Sequence, residues 1–176
     1  MGTGADTTAA LQAAFTWLNA AVGRKLQVPV GTFSFNSDLR ILQYSATLEG
    51  IGGGQGGNCR LMGVNNARII VGQAILGPLS GGVPTKLGTK TQDVVLRNLS
   101  IQPVDNHSGE CVLLDYADNT LIEKCTIGPY NNTGSTVTIG VKTNWVQWLY
   151  IDKNQINVNG VCIWLRRPST ALNNED

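Results

Sequence analysis

The first apolar positions of the chain follow a helical period. After Asp6, a residue type that often caps helix N-termini, apolar side chains recur every three or four residues, and Gly23 supplies a stop. The pattern therefore predicts an amphipathic helix over 6–22 with one apolar face available for packing. The positions that carry this period are Leu11, Ala14, Phe15, Leu18, Ala21 and Val22.

The chain after this helix has the pattern of short strands. Runs rich in β-branched and apolar residues are each closed by Gly, Pro, Asn or Asp, the residues that favour turns. No second convincing helical period follows, so an alternation of helices with strands is not predicted. A chain of 176 residues has room for one domain. The predicted strands include 25–30, 32–35, 46–51, 68–71 and 94–101.

Three segments of the chain, 94–101, 120–127 and 149–156, align with one another without gaps. The spacing is 26 residues between the first two copies and 29 between the second and third, and a further apolar run follows each copy. Such a period is typical of a solenoid, in which each repeat buries its apolar face by stacking on its neighbours. A β-sandwich with similar strands is the alternative. The alignment predicts one stack of Leu96, Ile122 and Ile151, and another of Ile101, Ile127 and Ile156.

Composition and charge narrow the classes of function. Charged residues make up 14% of the chain, below the roughly 25% of ordinary globular proteins, which argues against disorder and against a coiled coil. The formal net charge is +1, so bulk charge favours neither nucleic acid nor a membrane surface as a partner. One histidine, His107, and four widely spaced cysteines match no zinc or haem motif. We expect no metal and no cofactor, and we expect buried free thiols, with a disulfide as the alternative.

Three stretches in the first third of the chain resemble a known family. They are GADTTAALQAAF at 4–15, LQVPVGTF at 26–33 and ATLEGIG at 46–52. They resemble the start of the right-handed parallel β-helix in the pectate-lyase-like superfamily, which includes phage tailspikes and many polysaccharide-degrading enzymes. The resemblance implies an all-β fold, a short right-handed single-stranded parallel β-helix with an N-terminal capping α-helix. The parts would be the capping helix at 1–23, the solenoid at 24–167, and a polar tail or the start of a missing continuation at 168–176.

The same resemblance implies partners and a location. A tailspike-like virion protein would contact host cell-surface polysaccharide, form a homotrimer and join other virion proteins, without nucleic acid or a membrane. Its location would be the phage tail or capsid surface, or outside the cell if the protein is bacterial. Two alternatives stay open, a polysaccharide lyase or glycoside hydrolase, and a capsid-decorating or baseplate protein that touches no sugar.

Three carboxylates are the candidate catalytic residues. Asp115 and Asp118 flank Tyr116 after an apolar run, and Glu123 lies on the strand that follows. Glycoside hydrolases use a pair of carboxyl groups, and lyases need a base close to the sugar. The polygalacturonase and pectate-lyase signatures are absent from the sequence, so solvated or ion-paired surface residues are the alternative.

Aromatic residues concentrate in the last third of the chain. Because the apolar face of a sugar ring stacks on an indole, these residues are candidates for carbohydrate binding. Tryptophan and tyrosine are also enriched at subunit interfaces, and burial in the core is a third possibility. The candidates for carbohydrate binding or for an interface are Trp145, Trp148, Tyr150 and Trp164.

Overall fold

The computed structural model describes residues 6–52, 58–73, 75–80, 83–87, 90–104, 109–129 and 139–166, with backbone alone for 75–80 and 83–87. Most described strands belong to two parallel sheets. The nine-stranded sheet contains β1 (Lys25–Val28), β3 (Leu39–Ile41), β4 (Thr47–Gly50), β6 (Ile69–Val71), β9 (Thr91–Gln92), β10 (Val95–Arg97), β12 (Glu110–Glu123), β14 (Ile139–Asp152) and β16 (Val161–Arg166). The five-stranded sheet contains β2 (Gly31–Phe35), β5 (Cys59–Gly63), β11 (Ser100–Ile101), β13 (Thr126–Ile127) and β15 (Gln155–Ile156). An antiparallel hairpin is formed by β7 (Ile75–Ser80) and β8 (Val83–Leu87).

The N-terminal helix α1 (Thr8–Asn19) is shorter at both ends than the pattern predicts. Thr7 is the N-cap residue, and the Asp6 carboxylate accepts a hydrogen bond from the Thr8 backbone N–H at 2.9 Å. The predicted apolar face is confirmed at Leu11, Phe15 and Leu18, which are buried against the first strands β1, β2 and β3. Ala21 and Val22, which the prediction also included, lie beyond the helix, and Val22 is exposed. The helix therefore covers one end of the core.

The repeat alignment predicts the register of the strands correctly. Leu96 of β10 pairs with Ile122 of β12, which pairs with Ile151 of β14. In the smaller sheet, Ile101, Ile127 and Ile156 stack in the same way. Side chains from both sheets pack into one apolar core. Because equivalent apolar residues lie side by side on neighbouring strands, each repeat copy buries its inner face against the next.

The predicted parallel β-helix is wrong. The described strands form two separate parallel sheets, of nine and five strands, with one helix, and the described residues form no closed solenoid. A sequence period fixes which residues lie beside one another on neighbouring strands, and two open sheets satisfy that constraint without closing the backbone on itself. The proposed tail at 168–176 lies outside the described residues, and no helix of the described part is long and apolar enough to cross a membrane.

Two long strands organise the large sheet. Strand β12 pairs along its length with three shorter strands in turn, β6, β9 and β10, and strand β14 runs beside β12 from end to end. Both strands turn where their residues adopt the left-handed backbone region, at Tyr116 and Asn119 in β12 and at Trp145 and Trp148 in β14. These turns place aromatic side chains at bends of the sheet.

Candidate carbohydrate-binding surface

Trp148 belongs to a column of left-handed residues at one bend of the large sheet. The strand registers align it with Asn119, Asp93 and Ser45, which lie on successive neighbouring segments of the same sheet. We call each such segment a layer. The φ angles of Ser45, Asp93, Asn119 and Trp148 are 54°, 58°, 45° and 53°. Asn and Asp tolerate this region because their short polar side chains bond locally, and here the Asn119 amide donates to the Asp93 carboxylate at 2.5 Å. The column is thus a turn position that suits small polar residues.

A tryptophan at this turn position is unfavourable for the backbone. An L-residue other than Gly, Asn or Asp pays roughly 1–2 kcal/mol in the left-handed region. Burial does not explain the choice, because the Trp148 side chain is 67% exposed. Lys124 and Lys153 occupy the same backbone region, so strain alone does not mark a site. What sets Trp148 apart is a large aromatic side chain that is both held at such a turn and exposed to solvent.

Tyr150 lies two residues after Trp148 on the same strand and is 53% exposed. The residues stacked beside it in the preceding layers are Leu121, Val95 and Thr47, so the tyrosine ring continues a row of outward-facing side chains. Trp148 and Tyr150 therefore present two neighbouring aromatic rings to solvent at the bend of β14. This exposure is at odds with the burial alternative for the pair, whereas carbohydrate binding and an interface both stay predictions.

Trp145 occupies a second left-handed column together with Tyr116. Its φ angle is 51° and that of Tyr116 is 64°. The Trp145 side chain is half-buried and has interactions within the protein, unlike the open position of Trp148. Trp145 therefore lies at a neighbouring bend of the same strand and is less accessible than Trp148 and Tyr150.

Trp164 stands apart from the other three aromatic residues, on strand β16. It pairs with Lys142 of β14, whose ammonium nitrogen lies 5.6 Å from the centroid of the indole ring. The same ammonium is 3.6 Å from the carboxylate of the buried Glu110, which also pairs with Arg68. Trp164 is thus held by a charged network and lies on the edge strand, a position that suits an interface better than a shared sugar platform.

The structure gives each candidate catalytic carboxylate a partner. Asp118 is buried, forms an ion pair with Lys90 and accepts a hydrogen bond from the Gln147 backbone N–H at 3.1 Å. Asp115 accepts from the Asn144 amide at 3.3 Å. Glu123 lies five residues beyond Asp118 on β12 and forms an ion pair of 3.1 Å with Lys124. Their role in catalysis stays a prediction.

The Asp118 contacts support the exposed aromatic pair. Gln147 directly precedes Trp148, and its backbone N–H and side-chain oxygen are held by Asp118 and by Lys90 at 3.3 Å. A buried ion pair that also bonds the backbone fixes the strand at the residue where the left-handed turn begins. Sequence reasoning missed Lys90 and Gln147, since neither belongs to a motif. The repeat offset of 29 residues places Gln147 beside Asp118, and this offset was the one sequence signal that could have identified Gln147.

The cysteine thiols lie mostly inside the protein. Cys59, Cys111 and Cys125 are buried free thiols, as predicted, whereas the free thiol of Cys162 is exposed. Burial, with a contribution from Glu110, raises the pKa of the Cys111 thiol to about 12, and burial raises the pKa of the Cys125 thiol to about 11. Within the described ranges no three or more His, Cys, Asp or Glu side chains gather as a metal site would require.

Comparisons of this chain with protein families, with curated proteins and with solved structures give no match.

Proposed function

We propose that the protein binds polysaccharide, with Trp148 and Tyr150 as the rings on which the sugar stacks. The observation that carries the proposal is that Trp148 combines a left-handed backbone with an exposed indole. The aligned positions in the preceding layers hold the small polar residues Asn119, Asp93 and Ser45. Two exposed aromatic rings on one rigid strand offer apolar faces to sugar rings at low entropy cost.

Host surface polysaccharide is the ligand class that we propose, with the protein as part of a phage particle. The sequence resemblance at 4–15 and 26–33 supports this setting. Binding without cleavage is the favoured form of the activity, because Asp118 is occupied by Lys90 and by the Gln147 backbone. A carboxylate that must serve as general acid or base needs to reach the substrate proton, and a buried, ion-paired group is poorly placed for that.

The test is a glycan array that carries bacterial capsule and lipopolysaccharide fragments, probed with the intact chain and two variants. Trp148→Asn copies the residue of the preceding layer, and Tyr150→Thr copies Thr47 from its own column. We expect the parent to bind a subset of the glycans and both variants to lose at least about tenfold in affinity, the effect expected of a binding hot spot.

Trp17 provides the matched control. It is 49% exposed and lies on α1, where the Arg24 guanidinium stacks over its ring at 4.7 Å from the centroid. Trp17→Ala should leave glycan binding unchanged. Equal losses for Trp17→Ala and Trp148→Asn, or no glycan bound by the parent, would count against the proposal. Release of reducing ends from a bound glycan would instead support the alternative of a polysaccharide lyase or glycoside hydrolase.

A further inference from the structure

The strand that carries the two exposed rings continues with an exposed carboxylate. Asp152 follows Tyr150 by two residues on β14, so both side chains lie on the same outward face, while Ile151 between them stacks beside the buried Ile122. Two residues along a strand span about 7 Å. The Asp152 side chain is 54% exposed. Trp148, Tyr150 and Asp152 therefore form a line of two rings and one hydrogen-bond acceptor along β14.

Asp152 is the most accessible carboxylate of its row. The residues aligned with it in the preceding layers are Glu123, Arg97 and Glu49, and their side chains are less exposed. The ammonium of Lys153 lies 3.3 Å from the Asp152 carboxylate. An ionised carboxylate has two oxygens with about four acceptor sites. One ammonium contact therefore leaves Asp152 able to accept hydrogen bonds from a ligand.

Each described cation on the rows and turns around this line is already paired with a carboxylate. The pairs are Lys153 with Asp152, Lys124 with Glu123, Lys90 with Asp118, and both Arg97 and Lys25 with Glu49. With the exposed Asp93 of the Trp148 column, the carboxylates equal these cations in number. An acidic sugar gains most from cations that are available to its carboxylate or phosphate groups. The charges around the rings therefore favour a ligand without charge.

We propose that the polysaccharide bound by Trp148 and Tyr150 is uncharged, and that Asp152 sets this preference by accepting hydrogen bonds from sugar hydroxyl groups. The inference rests on the proposed function, because it names the ligand class of the same surface. The glycan lies along β14, with sugar rings on the two aromatic side chains and the hydroxyl groups of the next ring turned toward Asp152. A carboxylate, phosphate or sulfate on that ring would meet a like charge.

The first test compares acidic and neutral forms of the same glycan. Acidic capsule fragments are printed beside copies in which the uronic acid carboxyl groups have been reduced to alcohols. We expect the parent protein to bind the reduced form at least about threefold more tightly. Its affinity for the reduced form should also stay within about twofold between about 0.05 and 0.5 M sodium chloride, because no ion pair with the glycan is there to be screened.

Three variants test whether the preference resides at Asp152. Asp152→Asn keeps the shape of the side chain without its charge, so it should weaken neutral binding about three- to tenfold and narrow the gap between the two glycan forms. Lys153→Asn copies Asn98 of the aligned left-handed turn and should leave neutral binding in place. Asp38→Asn changes an ion-paired carboxylate that precedes β3, a strand paired with β6, and should leave binding unchanged.

The outcomes separate this inference from the proposed function. Tighter binding of the acidic forms, or a loss on Lys153→Asn without a loss on Asp152→Asn, would overturn the uncharged ligand class while Trp148 and Tyr150 remain the binding residues. Unchanged affinity of Asp152→Asn would overturn the role of Asp152. If the parent binds no glycan, or if Trp148→Asn binds as tightly as the parent, the proposed function fails and this inference falls with it.

Discussion

Replacing Trp148 by asparagine and by alanine separates the backbone strain at this position from the contacts of the indole. Both replacements remove the same aromatic contacts, so the loss of packing is common to the two variants. They differ in how well they accept the observed φ of 53°. Asparagine enters the left-handed region readily, whereas alanine pays the ordinary steric penalty of an L-residue.

The expected difference follows from that penalty. Trp148→Asn should exceed Trp148→Ala in free energy of unfolding by about 1 to 2 kcal/mol. The Asn119 amide already donates to Asp93 in the layers beneath, so an asparagine at 148 continues an existing column of polar turn residues. Relative to the parent, Trp148→Asn should lose little stability, because most of the indole is exposed and the strain is relieved. A buried tryptophan would cost about 3 to 5 kcal/mol on truncation.

Urea denaturation of the three proteins measures this difference, with equal m-values as the sign that the unfolded states are comparable. For a chain of this size the gap corresponds to about 2 to 8 °C in Tm. The pair Tyr150→Asn and Tyr150→Ala is the control, since Tyr150 is not among the left-handed residues and the two variants should agree closely. Equal stability of the two Trp148 variants, or a more stable alanine variant, would refute the strain argument.

Three further predictions concern the core and the thiols. Leu18→Asp, which buries an unpaired charge under α1, should cost several kcal/mol in thermal unfolding, while Ala13→Asp on the exposed face should cost little; similar melting points would contradict the role of α1 as a cover. Ile127→Ala should destabilise by about 2 to 5 kcal/mol in urea, and the half-buried Ile156→Ala by clearly less, so an equal cost would contradict the difference in burial between the two residues. A thiol reagent at neutral pH should modify Cys162 in the folded protein and reach the three buried thiols only after unfolding; rapid reaction of more than one thiol would contradict the burial.

Residue spacing predicted the register but not the closure of the fold. The offsets of 26 and 29 residues place Ile122 beside Leu96 and Ile151 as the sheet shows. The same offsets say nothing about whether the layers close into a solenoid, because closure depends on the turns between the two sheets. The helix was predictable from its apolar period, but the contacts of its polar residues were not: the Gln12 amide, outside that period, donates to the Asp38 carbonyl at 2.9 Å.

The candidate site was predictable in residue type and not in arrangement. Counting aromatic residues found Trp148 and Tyr150 but grouped them with Trp164, which lies on the edge strand against Lys142. The left-handed backbone conformation of Trp148, which Trp145 shares, has no local sequence signature of its own. It becomes visible only through the alignment with Asn119 in the preceding layer, since asparagine there marks a left-handed turn.

A crystal structure of the chain with the oligosaccharide that it binds most tightly on the array tests the central claim most directly. We predict a sugar ring stacked face to face on the indole of Trp148, with the next ring against Tyr150 and no contact to the Asp118 carboxylate. An oligosaccharide bound elsewhere on the protein, with the Trp148 side chain still open to solvent, would contradict the account.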